Sequence, residues 1–153
     1  MEILSKETIE FLKKNEGKKI VFTNGCFDIL HLGHVEYLNE AKSLGDVLII
    51  GVNSDASVKV LKGEDRPINN EHDRQAMLLN LKAVDCVQVF NEQTPLEIIK
   101  LIKPSVLVKG GDWKIDQIIG SDFVLAEGGV VKSLLFKNGY STSNLIHAVQ
   151  GKK

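Results

Sequence analysis

Blocks of apolar and polar residues follow one another along the chain, and their lengths and spacing predict short strands alternating with helices. Ser5 to Glu16 reads as an amphipathic helix with Ile9, Phe11 and Leu12 on its apolar face, stopped by Gly17. Ile20-Val21-Phe22-Thr23 then forms an apolar run of strand length. From about His34 to Leu44 the spacing of Val35, Leu38 and Ala41 predicts a second helix, ended by Gly45. Val47-Leu48-Ile49-Ile50 is apolar without interruption, the pattern of a strand covered on both faces. Residues 54–69 begin as a short helix and end in the turn-like Lys62-Gly63-Glu64-Asp65-Arg66-Pro67, and Met77, Leu78 and Leu81 mark one face of a helix over 70–81. A third strand is expected at 84–90. Thr94-Pro95-Leu96-Glu97 then spells a helix start, with Thr as N-cap, Pro at the first helical position and Glu closing a capping box. That helix must stop near Lys103, because Pro104 comes next. Further strands are expected at 106–108 and 130–136, with short helical pieces around 115–127 between them. Ser141 to Asn144 cap a last helix through Val149.

Strands that alternate with helices join by right-handed crossovers, so the pattern predicts an α/β protein with a doubly wound, five-stranded parallel sheet. No internal repeat, linker or low-complexity segment breaks it. Residues 1–153 are therefore read as a single domain, with 1–16 a helix appended to the core. Hydrophobic residues make up 43% and charged residues 25%, which excludes a disordered or fibrous chain. A net charge of −1 offers no broad basic surface, so no nucleic acid partner is expected. Cys26 and Cys86 are too few for a disulfide framework and lack zinc-ribbon spacing. The opening Met-Glu-Ile-Leu-Ser-Lys-Glu lacks the pattern of a signal peptide, and no apolar run approaches membrane-spanning length. A cytoplasmic protein without membrane contact is the expectation.

The chemistry concentrates in His31-Leu32-Gly33-His34, directly after the first strand. Two histidines three apart at a helix start lie on one face, and Gly33 between them leaves room for a ligand to approach the backbone. Free N–H groups at a helix start favour an anion, so the segment predicts a phosphate-handling site. In a doubly wound sheet, ligands sit beyond the carboxyl ends of the strands. The polar loops fall there: Thr23 to His34, Asn53-Ser54-Asp55, Lys109 to Asp112, and Gly139 to Asn144. Their convergence outweighs any single motif. Plainer readings compete. A histidine pair also occurs on solvated helix surfaces, and Trp113 reads more readily as packing than as base stacking. A metal on Cys26, Asp28, His31 and His34 would match no familiar zinc spacing. Gly17-Lys18-Lys19 is no P-loop, and no G-x-G-x-x-G succeeds the first strand.

With these residues assembled, the chain resembles the cytidylyltransferase-like nucleotidyltransferases, which share His-x-Gly-His on a Rossmann-like sheet. Within them it most resembles the adenylyltransferases of D-glycero-β-D-manno-heptose 1-phosphate. The resemblance covers roughly residues 17–150. It is carried by Thr23 to His34, Asn53 to Ser57, Leu61-Lys62-Gly63 with Arg66-Pro67, Val108 to Asp112, and Ser141 to Asn144. It departs from the glycerol-3-phosphate cytidylyltransferase branch, which carries an Arg-Thr pair where Phe136 and Lys137 stand here.

The resemblance implies that ATP and a sugar 1-phosphate give an ADP-sugar and pyrophosphate, in a homodimer, with Mg²⁺ held mainly by the nucleotide phosphates. It implies that His31 and His34 donate to phosphate oxygens, with their imidazolium forms favoured by the phosphates. Lys62 then bridges the sugar phosphate and the α-phosphate, and Arg74 binds phosphate, the alternative for Arg74 being a surface pairing with Glu71. Thr23, Asn24, Gly25, Cys26, Phe27, Asp28 and Gly33 line the nucleotide from the first loop, with Asp28 ordering that loop or helping to place Mg²⁺. Lys109, Gly110 and Asp112 surround base and ribose, the glycines allowing close approach. Ser141, Thr142 and Ser143 hold the β- and γ-phosphates, and Asn53, Asp55 and Arg66 fall to the substrate. The attacking phosphate oxygen is already anionic, so no general base is required. Rival readings are cytidylyl transfer to a small phosphoalcohol such as glycerol 3-phosphate, a nucleotide-binding module without turnover, and a metal-binding regulatory domain.

Overall fold

A computed structural model describes residues 3–152. The chain runs through α1 (Lys6–Lys14), β1 (Ile20–Gly25), α2 (Leu32–Ser43), β2 (Val47–Asn53), α3 (Asp55–Lys62), α4 (Glu71–Leu79) and β3 (Cys86–Phe90). It continues through α5 (Leu96–Ile102), β4 (Val106–Gly110), a 3₁₀ turn at Ile115–Gln117, α6 (Ser121–Ala126), β5 (Val130–Leu134) and α7 (Thr142–Val149). The strands form one parallel five-stranded sheet in the order β3-β2-β1-β4-β5. The chain starts in the middle at β1, builds outward to β3, then returns to lay β4 against the other side of β1. Strand order reverses between β1 and β4, and the crevice for a ligand opens there.

Burial explains the order. Every residue of β2 is buried, as its unbroken apolar run requires, and the two sets of side chains feed two cores. Leu48, Ile50 and Val52 join Tyr37, Leu38 and Ala41 of α2 and Leu78 of α4. Phe22, Ile49, Leu107 and Val131 join Ile98, Ile99 and Ile102 of α5 and Val124 of α6, with Ile9, Phe11 and Leu12 of α1 at the margin. This is the Rossmann-like architecture that the pattern implies. Among the described residues, no helix is long and apolar enough to cross a membrane.

Several local expectations need correction. α5 begins at Leu96 with Pro95 in the capping position, and no side chain caps it. Pro95 already sits at ψ 8°, and its carbonyl takes the N–H of Ile99 at 3.0 Å, so Thr94 and Glu97 form no capping box. The left-handed Lys103 then ends α5 before Pro104, as expected. On α4 the inward positions belong to Arg74 and Leu78, while Met77 is 46% exposed. On α2 Tyr37, not Val35, completes the buried stripe. β4 extends through Lys109 and Gly110, which pair with Ser133 and Leu134, and β5 stops before Phe136.

Candidate active site

A cleft of about 700 Å³ opens at the carboxyl end of β1. Asn24, Gly25, Cys26, Phe27, Asp28, His31 and His34 line it from the first loop, with Asn53, Lys62 and Arg66 on the β2 side. Lys109, Gly110, Ser141, Thr142 and Ser143 close the β4 side. The four polar loops thus meet in one place. Thr23, Gly33, Asp55, Arg74 and Asp112 do not line the cleft.

His31 is the N-cap residue of α2 and His34 lies in its first turn. The backbone N–H of His31 donates to Nδ1 of His34 at 3.3 Å. An accepting Nδ1 leaves the ring proton on Nε2, so neutral His34 keeps a donor. The two rings stack with centroids 3.8 Å apart. Burial and then the charge of His31 push His34 down to about 4, and burial lowers His31 as well. In the ligand-free cleft both rings are therefore neutral near pH 7. Hydrogen-bond donation does not need the imidazolium form expected from sequence. Gly33 has a different use from the one expected. A Cβ there would come within 2.9 Å of the His31 ring and 3.0 Å of Tyr140 Cβ, so the vacancy is filled by these side chains.

Under the histidines lies a fastened loop. Asp28 is 2% exposed, and its carboxylate accepts from the N–H groups of Ile68 and Asn69 and from Arg66 Nε at 2.8 Å. Burial alone would raise its pKa, but these donors outweigh it and hold the carboxyl below the usual aspartate value. Both oxygens are occupied. Asp28 orders the loop and has no face left for a metal. Among the described residues no group of three or more His, Cys, Asp or Glu is placed to hold a metal ion, so Cys26, Asp28, His31 and His34 do not assemble as ligands.

Arg74 is turned inward. Its guanidinium donates to the carbonyl of Cys26 (2.7 Å), the carbonyl of Asn69 (3.0 Å) and Asp55 Oδ1 (2.8 Å). It binds the first loop, the 66–70 segment and the start of α3 together instead of facing a phosphate. Asp55 is correspondingly its ion-pair partner. Thr23 is also committed, its hydroxyl 2.6 Å from that of Tyr37 beneath the cleft floor.

Three cations remain at the rim. Arg66 has spent only Nε on Asp28. Among the described residues neither Lys62 nor Lys109 has an acidic partner within ion-pair distance. Burial pulls the Lys109 pKa down, and the nearby charge of Lys62 adds to this, so each gains from an anion between them. Burial also keeps the Cys26 thiol protonated despite Lys62, Arg74 and Arg66.

Trp113 is not core packing. It is 45% exposed and lines the cleft, with Nε1–H donating to the Gly110 carbonyl and Lys109 Nζ 5.5 Å from its ring centroid. Gly110 admits the Phe136 ring, since a Cβ there would lie 2.3 Å from Phe136 Cζ. At α7, Ser141 Oγ accepts from the N–H of Asn144, and the Thr142 hydroxyl donates to the Ile29 carbonyl at 3.0 Å. These hydroxyls fasten the helix start, leaving its free N–H groups to meet an anion. Sequence reasoning missed Tyr37, Leu61, Gln93, Pro95, Ile119, Phe136 and Tyr140 as lining residues. Apart from Gln93, a polar residue in no motif, these are aromatic and aliphatic side chains, which carry no signal that separates lining from core.

The buried histidine sets a pH dependence. His34 titrates near 6.5 when unfolded and near 4 when folded, so the unfolded chain binds more protons between those values. Stability is expected to fall as pH drops from about 6.5 to 4, with a separate loss at lower pH as Asp28 is protonated. Thermal melts of the parent and His34→Gln check this. The variant should flatten the upper window, apart from the share due to His31, and keep the lower one.

The site thus sets a histidine pair at the start of the first crossover helix, with cations around it, over a Rossmann-like parallel sheet. Residues 22–148 match the cytidylyltransferase-like family, and the chain belongs to that family. The bifunctional protein HldE of Nitratiruptor sp. is 55% identical over 147 residues, covering 94% of this chain and 31% of that protein. The bifunctional protein HldE of Aliarcobacter butzleri is 58% identical over 136 residues, 89% of this chain and 28% of that protein. The chain thus spans about a third of the length of these curated relatives. A lipopolysaccharide core biosynthesis protein from Thermoplasma volcanium has a solved structure with TM-score 0.64 and 33% identity. The match covers 82% of this chain and all of that one.

Proposed function

We propose that the chain transfers an adenylyl group from ATP to D-glycero-β-D-manno-heptose 1-phosphate, giving ADP-heptose and pyrophosphate. The observation that carries this is the stacked His31–His34 pair facing a cleft rimmed by Lys62, Arg66 and Lys109. An anionic oxygen of the sugar phosphate attacks the α-phosphorus. The new P–O bond forms as the bond to the bridging oxygen of the β-phosphate breaks, and pyrophosphate leaves with that electron pair. No proton has to be removed from the nucleophile. Catalysis then rests on alignment and on charge stabilisation. The imidazole N–H groups donate to the phosphate oxygens. Lys62 and Arg66 draw the sugar phosphate towards the α-phosphate, and Lys109 with the start of α7 holds the nucleotide.

ATP implies Mg²⁺, and the side chains of the cleft do not fit a protein cage for it, because Asp28 is fully hydrogen-bonded. The ion belongs on the phosphates in this reading, and no step is assigned to it. The sugar is supported by the Lys62-Gly63…Arg66-Pro67 and Lys109-Gly110-Gly111-Asp112 segments and by the likeness to a lipopolysaccharide core biosynthesis protein. Against cytidylyl transfer, Phe136 places an apolar ring on Gly110 where that branch carries arginine.

A pyrophosphate-release assay crossing ATP, CTP and GTP with heptose 1-phosphate and glycerol 3-phosphate tests the proposal. Steady release is expected with ATP and heptose 1-phosphate. Release with CTP and glycerol 3-phosphate instead would establish the rival enzyme, and no release in any pairing would leave a binding module.

A further inference from the structure

We propose that Tyr140 is a positioning residue for His31, closing the outer face of the stacked imidazoles and fixing the plane of the ring. The inference rests on the reading of His31 as a phosphate donor.

The two histidines are held differently. His34 is anchored by the N–H of His31 and flanked by the Phe27 ring, with centroids 5.3 Å apart. His31 Nδ1, at the start of the same helix, is buried without a hydrogen-bond partner among the described residues. Its ring is set by its aromatic neighbours, with the His34 centroid 3.8 Å away and the Tyr140 centroid 6.2 Å away, inclined by 27°. A face contact sets the ring plane without consuming a nitrogen. Gly33 is the vacancy that lets Tyr140 come this close, as a Cβ there would meet both side chains.

Tyr140 is itself held in place. Gly139 turns the chain at φ 86°, and the Thr142 hydroxyl fastens the start of α7 to the Ile29 carbonyl. On the other side Lys137 pairs with Glu36 of α2 at 3.0 Å, its Nζ 5.7 Å from the Tyr140 ring centroid. The β5–α7 connection therefore folds over the first turn of α2 and delivers one aromatic face to His31. The phenolic hydroxyl has no part in this, so phenylalanine should serve equally well.

Tyr140→Ala and Tyr140→Phe in the full chain test the proposal. Tyr140 is 40% exposed, so truncation empties no core. With the alanine variant, kcat for pyrophosphate release should fall on the order of tenfold, part of the 10²–10³ that losing a whole donor costs, while KM for ATP holds. In the ligand-free protein, NMR titration should show the His31 imidazole, now solvated, moving up towards its ordinary pKa. Tyr140→Phe should restore both values. An alanine variant with parental kcat and His31 titration would overturn the proposal, as would a phenylalanine variant impaired as much as alanine. The titration needs no turnover. A parent that releases no pyrophosphate would sink the reaction and leave Tyr140 to be decided by the NMR arm.

Discussion

Replacing His34 with alanine is expected to slow turnover by about 10²–10³-fold while ATP affinity changes little. The expectation comes from where the charge grows. In the proposed reaction Lys109 and the start of α7 hold the nucleotide in the ground state while Lys62 and Arg66 draw in the sugar phosphate, and the substitution touches none of these cleft-lining groups. A donor aimed at oxygens that gain charge only during displacement contributes about 2.7–4 kcal/mol there and little beforehand. Alanine also removes the acceptor for the His31 N–H and half of the ring stack. His34→Asn separates these roles, because its side-chain carbonyl can still accept that N–H while nothing replaces Nε2–H. Steady-state kcat together with calorimetric ATP binding checks both variants. An asparagine variant within about threefold of the parent would show that His34 matters as a helix cap and not as a donor.

The arrangement behind this expectation is legible in the sequence wherever chemistry is encoded locally. The unbroken run at Val47–Ile50 announces a strand buried on both faces, and its alternation with helices fixes a parallel sheet. Polar segments at strand ends announce where the crevice lies, because parallel strands present all their carboxyl ends on one side. Contacts across the chain are not legible. Arg74 reads like a free cation near a helix start, yet it is spent on the carbonyls of Cys26 and Asn69, groups that every residue possesses and no motif records. Gly33 announces a close approach without saying what approaches, and the answer is the His31 ring together with the Cβ of Tyr140, brought from far along the chain. Trp113 and Phe136 are apolar enough for a core, and only the end of β4 decides that they border the cleft. The capping box at Thr94 fails for a smaller reason. One residue of slippage, with Pro95 already turned, removes the geometry that the motif needs.

Arg74→Ala is expected to lower stability by about 2–6 kcal/mol, roughly 1–3 kcal/mol for each of the two carbonyls that lose their donor. The side chain is wholly buried and joins three segments, so its loss leaves two backbone carbonyls without donors. Asp55, about a third exposed, can rehydrate, which keeps the loss within that range. Arg74→Lys should recover little. One ammonium cannot reproduce a planar fork that reaches Asp55, Cys26 and Asn69 together. Urea unfolding checks this. The midpoint should fall in both variants with the slope unchanged, since the surface exposed on unfolding is the same. If Arg74 instead bound phosphate, alanine would leave the midpoint in place and raise KM. The distinction bears on the chemistry as well, because the Cys26 carbonyl belongs to the loop that carries the chain from β1 into the histidine pair. A chain that kept its midpoint would show that something other than this guanidinium sets the loop on which the phosphate site is built.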